Sequence, residues 1–288
     1  MNKSPIAGGA LIALLGFGAA AQAQDDFAAR VPAAIQDAGK LSVGTSPTYP
    51  PLEFKDPMTM GLQGLDIDLT EEIGRRLGLE IDWQEQSFDQ LINSLNTDRI
   101  QMGASGMTDI PARRETVDFV DYFSTGSQLF TLQGTADELQ HSEDACGKPV
   151  AVNRNGIFFT RLKEFNEAVC IAKGLGEVQY VLVDKTADAR LQLIQGRAVA
   201  AVQGVDAIRY LNEHEGSADK GKFRLVGEPI AVDYAGFGFH KSNAELRDLV
   251  ADVVDSMIED GTYTQIFAKW ELAYAEMETT LINAEPRN

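Results

Sequence analysis

Cysteine, histidine and tryptophan are scarce in this chain, with two, three and two copies among 288 residues. His141, His214 and His240 have no ligand spacing with cysteines or carboxylates, so no metal site is expected. Nucleophile motifs and paired catalytic carboxylates are missing too, and Gly236-Phe-Gly238 is too short and wrongly placed to cradle a dinucleotide. Neither catalytic residues nor a cofactor follow from these patterns. Positive charge is also in deficit: 25 Lys and Arg against 43 Asp and Glu leave a net charge of −18, which disfavours nucleic acid or an anionic membrane surface as partner. Beyond the first two dozen residues no apolar run approaches the roughly eighteen residues that a membrane span needs.

What is present begins with an export signal. Lys3 supplies a positive start, residues 6–20 an apolar run, and Ala21-Gln22-Ala23 small residues for cleavage. A signal peptide over residues 1–23 is expected, with the mature chain starting near Gln24 in a Gram-negative periplasm. No cysteine stands at the cleavage site to carry a lipid. The remaining chain, about 265 residues, suffices for one large domain or two medium ones. In an oxidising compartment the only two cysteines, Cys146 and Cys170, form a candidate disulfide.

Strand and helix signals alternate. A short helix is expected over residues 27–38 and a strand over 41–45 that runs into the turn Pro47-Thr-Tyr-Pro-Pro51. From Asp68, Leu69, Ile73 and Leu77 recur every fourth residue with acids in the first turn and Arg75 and Arg76 in the last, and Gly78 is a natural stop. A strand at 81–83 precedes Ser87-Phe-Asp-Gln90, which fits a capping box. Residues 100–107 form a mixed apolar run. A second series follows: strand at 150–152, helix at 158–169, strand at 178–183, helix at 187–195, strand at 198–202 and helix at 206–213. An extended segment at 232–240 and two closing helices complete it, and the tail at 271–288 has no decided state. This alternation favours an α/β fold with a largely parallel sheet.

The order of motifs resembles the polar-amino-acid family of periplasmic solute-binding proteins, family 3. The matching pieces are Val43-Gly-Thr-Ser-Pro-Thr-Tyr-Pro-Pro51, Gly64-Leu-Asp-Ile-Asp-Leu69, Ser87-Phe-Asp-Gln-Leu91, Ser105-Gly-Met-Thr-Asp-Ile-Pro-Ala-Arg113, Leu191 to Val202, Asp260-Gly-Thr-Tyr263 and Lys269-Trp270. The resemblance implies a type II-like periplasmic-binding-protein fold: two α/β lobes joined by two hinge strands, with the ligand in the cleft between them. Lobe 1 would comprise residues 24–126 and 234–288, lobe 2 residues 127–233. It further implies a monomer that closes on a small amino-acid-like ligand and delivers it to the permease of an inner-membrane ABC transporter. The cysteine bridge would tie the start of the first strand of lobe 2 to the end of the following helix.

The same resemblance nominates binding residues. Arg113 would grip the ligand carboxylate with its planar fork, whereas Arg113-Arg114-Glu115 read without it is a solvated helix start. Arg114 has no such role. Thr108 would bind the same carboxylate, with Gly106 and Met107 beside it at a strand end. Tyr49 and Phe88 would flank the ligand. In lobe 2, Asn155-Gly-Ile157 replaces the family's hydroxyl-rich turn, which leaves the Ile157 amide as donor.

Two positions depart from the family. Gly204 stands where an acid usually holds the α-ammonium, and Ser46 where relatives that prefer basic side chains carry one. Asp206 is either a substitute for the first acid or a helix N-cap. Loss of both acids argues for a ligand whose nitrogen is modified, delocalised or displaced, against an ordinary amino acid rescued by Asp206. The rival classes are a periplasmic enzyme of the same fold, similar to cyclohexadienyl dehydratase, and a ligand-sensing module.

Overall fold

The computed structural model describes residues 26–134, 139–154, 156–214 and 216–286. The expected signal peptide lies outside them. In chain order the elements are α1 (Ala33–Ala38), β1 (Lys40–Thr45), β2 (Thr48–Tyr49), β3 (Glu53–Lys55), β4 (Leu62–Gln63), α2 (Leu65–Leu77), β5 (Glu80–Glu85), α3 (Phe88–Asn96), β6 (Met102–Thr108), α4 (Pro111–Arg114) and β7 (Val117–Leu132). Then come β8 (Pro149–Asn153), α5 (Ile157–Phe165), β9 (Gln179–Val183), α6 (Thr186–Ile194), β10 (Ala200–Gly204), α7 (Val205–Glu213), β11 (Phe223–His240), α8 (Ala244–Glu259), α9 (Thr262–Lys269), β12 (Leu281–Ile282) and β13 (Glu285–Pro286).

Periodicity explains most of these. In α2, Leu65, Leu69, Ile73 and Leu77 form one buried face, and burial of each such side chain contributes about 1.5–3 kcal/mol. The helix starts three residues before Asp68, because Asp66 and Asp68 both fit its first turn, where carboxylates meet the positive end of the dipole. Gly78 ends it with φ +68°. The single helix expected over 27–38 is two pieces, a 3-10 turn at Phe27–Arg30 and α1, since proline forces the preceding Val31 out of the helical region. Ser87 precedes α3 without any side-chain capping bond, so the expected capping box does not form. The helix expected to Val169 leaves α geometry at Phe165 and continues as a π-helical turn over Asn166–Ile171.

The main sheet runs in the order β5-β1-β6-β11-β7-β10-β8-β9. β1 is parallel to β5 and β6, and β8 is parallel to β9 and β10. The two central strands, β7 and β11, are long and antiparallel, and their register breaks between Val226 and Ala231. They therefore join two lobes with separate cores. One core gathers Leu41, Leu69, Phe123, Phe237, Val253 and Phe267. The other lies on both faces of the β8–β10 region: Val150 and Val152 pack with Leu162 on one face, Ala151 with Leu193 on the other, following the alternation of a strand.

The undecided tail folds back onto lobe 1. β12 pairs antiparallel with β7, and Asn283 bonds Asp118 through its side chain. Cys146 and Cys170 are bridged, with Cα atoms 5.3 Å apart, joining the approach to β8 to the π-helical turn. Closure of this loop constrains the unfolded chain by about 3 kcal/mol. Replacing both cysteines with alanine is expected to lower stability by about that amount in denaturant titrations. Two reactive thiols on the unreduced, denatured wild type would rule the bridge out. Among the described residues no helix is long and apolar enough to cross a membrane.

Candidate functional site

A cavity of about 970 Å³ opens between the lobes, at the upper end of the size range of small-molecule sites. Of the residues singled out in the sequence, Ser46, Tyr49, Phe88, Gly106, Thr108, Arg113, Ile157 and Asp206 line it. Met107 and Gly204 are not among its lining residues. Alternation along β6 turns Met107 into a core with Leu91, Leu95 and Phe119, where Gly103 and Gly238 leave room for its thioether. Gly204 lies beneath Tyr49.

Arg113 sits in the last turn of α4. Its guanidinium lies over the Phe88 ring at 5.1 Å, and Nη1 donates to the Thr108 carbonyl at 2.7 Å. Burial lowers its pKa, against the opposing pull of Asp109 and Asp89, yet an arginine stays charged there. Among the described residues no carboxylate forms an ion pair with it. Its remaining donors are thus available to an anion. Across the cleft α5 begins at Ile157 with no side-chain cap, and Gly156, Ile157 and Phe158 line the cavity there. Gly106 lines the cavity as expected, with its amide donating to Asp66 at 2.7 Å.

The opposite charge comes from Asp206. The N-cap of α7 is Gly204, so Asp206 lies in the first turn and is not the cap. Thr125 on β7 donates to its Oδ1 at 2.6 Å, and the Tyr49 hydroxyl sits between the Gly204 backbone and the same carboxylate. Its Oδ2 meets no donor. Burial raises the pKa of Asp206 and, with the adjacent Asp206 charge, that of Tyr49. A Cβ at position 204 would overlap the Tyr49 hydroxyl and stand 2.7 Å from Oδ1 of Asp206. Glycine is therefore what allows tyrosine and aspartate to meet here.

Sequence reasoning missed Glu53, Ser105 and Thr125. Ser105 donates to Glu53 at 2.9 Å and accepts from the Ser46 amide at 3.1 Å. Burial, then the nearby Asp66, pushes Glu53 well above the usual carboxylate range, and burial raises Asp66 to about 6 despite bonds from Tyr122 and Gly106. A lone acid directly after an apolar Pro-Pro-Leu run was the available signal for Glu53. Arg114, given no role above, binds the buried carboxylate of Asp109. The lobes also touch beside the cleft: Tyr210 of α7 lies 6.0 Å from Phe54, and Arg209 stacks over Tyr274 at 4.6 Å.

Two α/β lobes joined by long strands, with a cavity between them, are the architecture of a solute-binding protein of the periplasmic type. The model of the bacterial extracellular solute-binding proteins, family 3, matches residues 41–273, and the chain belongs to that family. It is 31% identical over 264 residues to an arginine-binding protein of Corynebacterium glutamicum, a match covering 91% of this chain and 84% of that protein. An L-cystine-binding protein of Bacillus subtilis is 28% identical, with 83% of each chain covered. Among solved structures, an ancestral amino-acid-binding protein described as a precursor of cyclohexadienyl dehydratase matches with a TM-score of 0.68 at 27% identity. That match covers 82% of this chain and 97% of the other.

Proposed function

We propose that this chain is the substrate-binding component of an ABC importer and that its ligand is an ordinary α-amino acid. The observation that carries this is the pairing, in one interlobe cavity, of a guanidinium without an ion-pair partner and a buried carboxylate with one oxygen lacking a donor. Arg113, Thr108 and the Ile157 amide receive the carboxylate, Asp206 the ammonium, and Tyr49 and Phe88 the aliphatic stem. The sequence argument for a modified nitrogen rested on the acids missing at both Gly204 and Ser46; on this reading Asp206 takes the place of the acid missing at Gly204. Arginine- and cystine-binding relatives support an unmodified amino acid.

On this reading the chain is exported by cleavage after residue 23, acts as a monomer and closes at hinges near residues 126 and 233. It binds its ligand without altering it. Ligand recovered unchanged by mass spectrometry after long incubation is the expected result, and a dehydrated product would instead support the enzyme reading.

A thermal-shift panel of the common L-amino acids and cystine beside N-methylated and cyclic derivatives tests the ligand class. An unmodified amino acid is expected to give the largest shift, and Asp206→Asn to weaken its binding by at least about tenfold. A modified derivative that binds best and is indifferent to Asp206→Asn would overturn the assignment.

A further inference from the structure

Helix α4 is too short to hold Arg113 by itself. It has four residues, none of them buried, and no side-chain cap. What anchors it is the next residue. Arg114 Nε donates to Oδ1 of Asp109, whose side chain is fully buried while that of Arg114 is 29% exposed. Asp109 is itself pinned, its amide donating to the Tyr234 carbonyl of β11 at 2.9 Å. Oδ2 of Asp109 and Oδ1 of Asp121 are both buried without a donor, and the two carboxyls become hydrogen-bonded partners when one is protonated. Burial, then the Asp109 charge, raises Asp121 to about 8. The far side of Asp121 accepts the Ala284 amide at 2.7 Å, from the tail beyond the family match.

We propose that Arg114, acting through Asp109, is a positioning residue for Arg113: the ion pair fixes the turn of α4 from which the Arg113 guanidinium reaches the ligand carboxylate. This rests on the amino-acid-binding reading above. The support is geometric. Arg113 and Arg114 both donate their amides to the Ile110 carbonyl, so a turn released at Asp109 moves both residues together. Among the described residues, the Arg113 guanidinium is held by the Thr108 carbonyl and the Phe88 ring.

The test measures affinity by calorimetry for the panel amino acid with the largest wild-type thermal shift. Arg114→Gln is expected to weaken binding about tenfold, while Arg114→Lys, which keeps a cation beside Asp109, stays within about threefold of wild type. In an Arg113→Ala background, Arg114→Gln should change the residual affinity by less than about twofold, because the residue it serves is gone. Asp109→Asn carries the same expectation as Arg114→Gln and replaces it should that variant not fold. Unchanged binding by both, no rescue by lysine, or a full multiplied loss in the Arg113→Ala background overturns the role. Wild-type binding by Arg113→Ala overturns the carboxylate grip and this role together. A loss confined to Arg113→Ala overturns this role alone.

Discussion

Replacing Arg113 with alanine is expected to leave the fold intact and to weaken amino-acid binding by about 2 to 5 kcal/mol, the usual result of truncating one partner of a buried charge pair. At about 1.4 kcal/mol per tenfold, that is a loss of roughly thirty-fold to several thousand-fold. The fold survives because no residue of α4 is fully buried and, among the described residues, the Arg113 side chain makes one hydrogen bond, to its own loop, while its backbone bonds do not depend on the side chain. On the proposed reading the affinity falls because a desolvated ligand carboxylate would lose the cavity-lining guanidinium that has no ion-pair partner among the described residues, whereas the Lys55 ammonium is already paired with Glu85. Calorimetry on the folded variant decides, and a loss under about threefold would remove Arg113 from the site.

The second large effect is expected from adding an acid. The family resemblance of the sequence implies an acid at the position of Gly204, yet Gly204→Asp is expected to lower affinity at least about a hundredfold. The new Cβ meets the Tyr49 hydroxyl and Asp206, and a second buried carboxylate beside Asp206 adds like-charge repulsion. Gly204→Ala isolates the steric part. Tyr49→Phe in that background, by deleting the obstructing hydroxyl, should recover most of the loss. Small-angle scattering with saturating ligand should find Gly204→Asp more extended than wild type. Tight binding by Gly204→Asp would mean that Asp206 does not hold the ammonium.

These expectations indicate where sequence was informative. The two series of strands and helices were legible from their apolar patterns: every fourth residue in α2, which buries one face, and a short continuous apolar run in β8, which is buried on both. Eight of the ten positions named from motif order line the cavity. Met107 was misjudged because adjacency to Thr108 was taken for shared orientation, whereas neighbours on a strand face opposite ways. Asp206 was left open between ligand and cap, since the first residue of α7 depends on where β10 stops, and that strand runs two residues past the expected 202. The tail was illegible for a different reason. β12 is two residues long and exists only because β7 offers it an edge, which no local pattern records.

On the import reading proposed above, the contacts of Tyr210 with Phe54 and of Arg209 with Tyr274 bear on the empty carrier. Both join the lobes without ligand, so wherever opening breaks them they would favour a shut form of the empty protein. Less of the ligand's binding energy is then spent on shutting the lobes, and scavenging of dilute solute improves. The same economy has a drawback for the cell: a transporter that responds to the shut shape is engaged by a larger fraction of empty carriers, and each futile engagement wastes nucleotide. The aromatic pair beside the cleft thus trades sensitivity against leak.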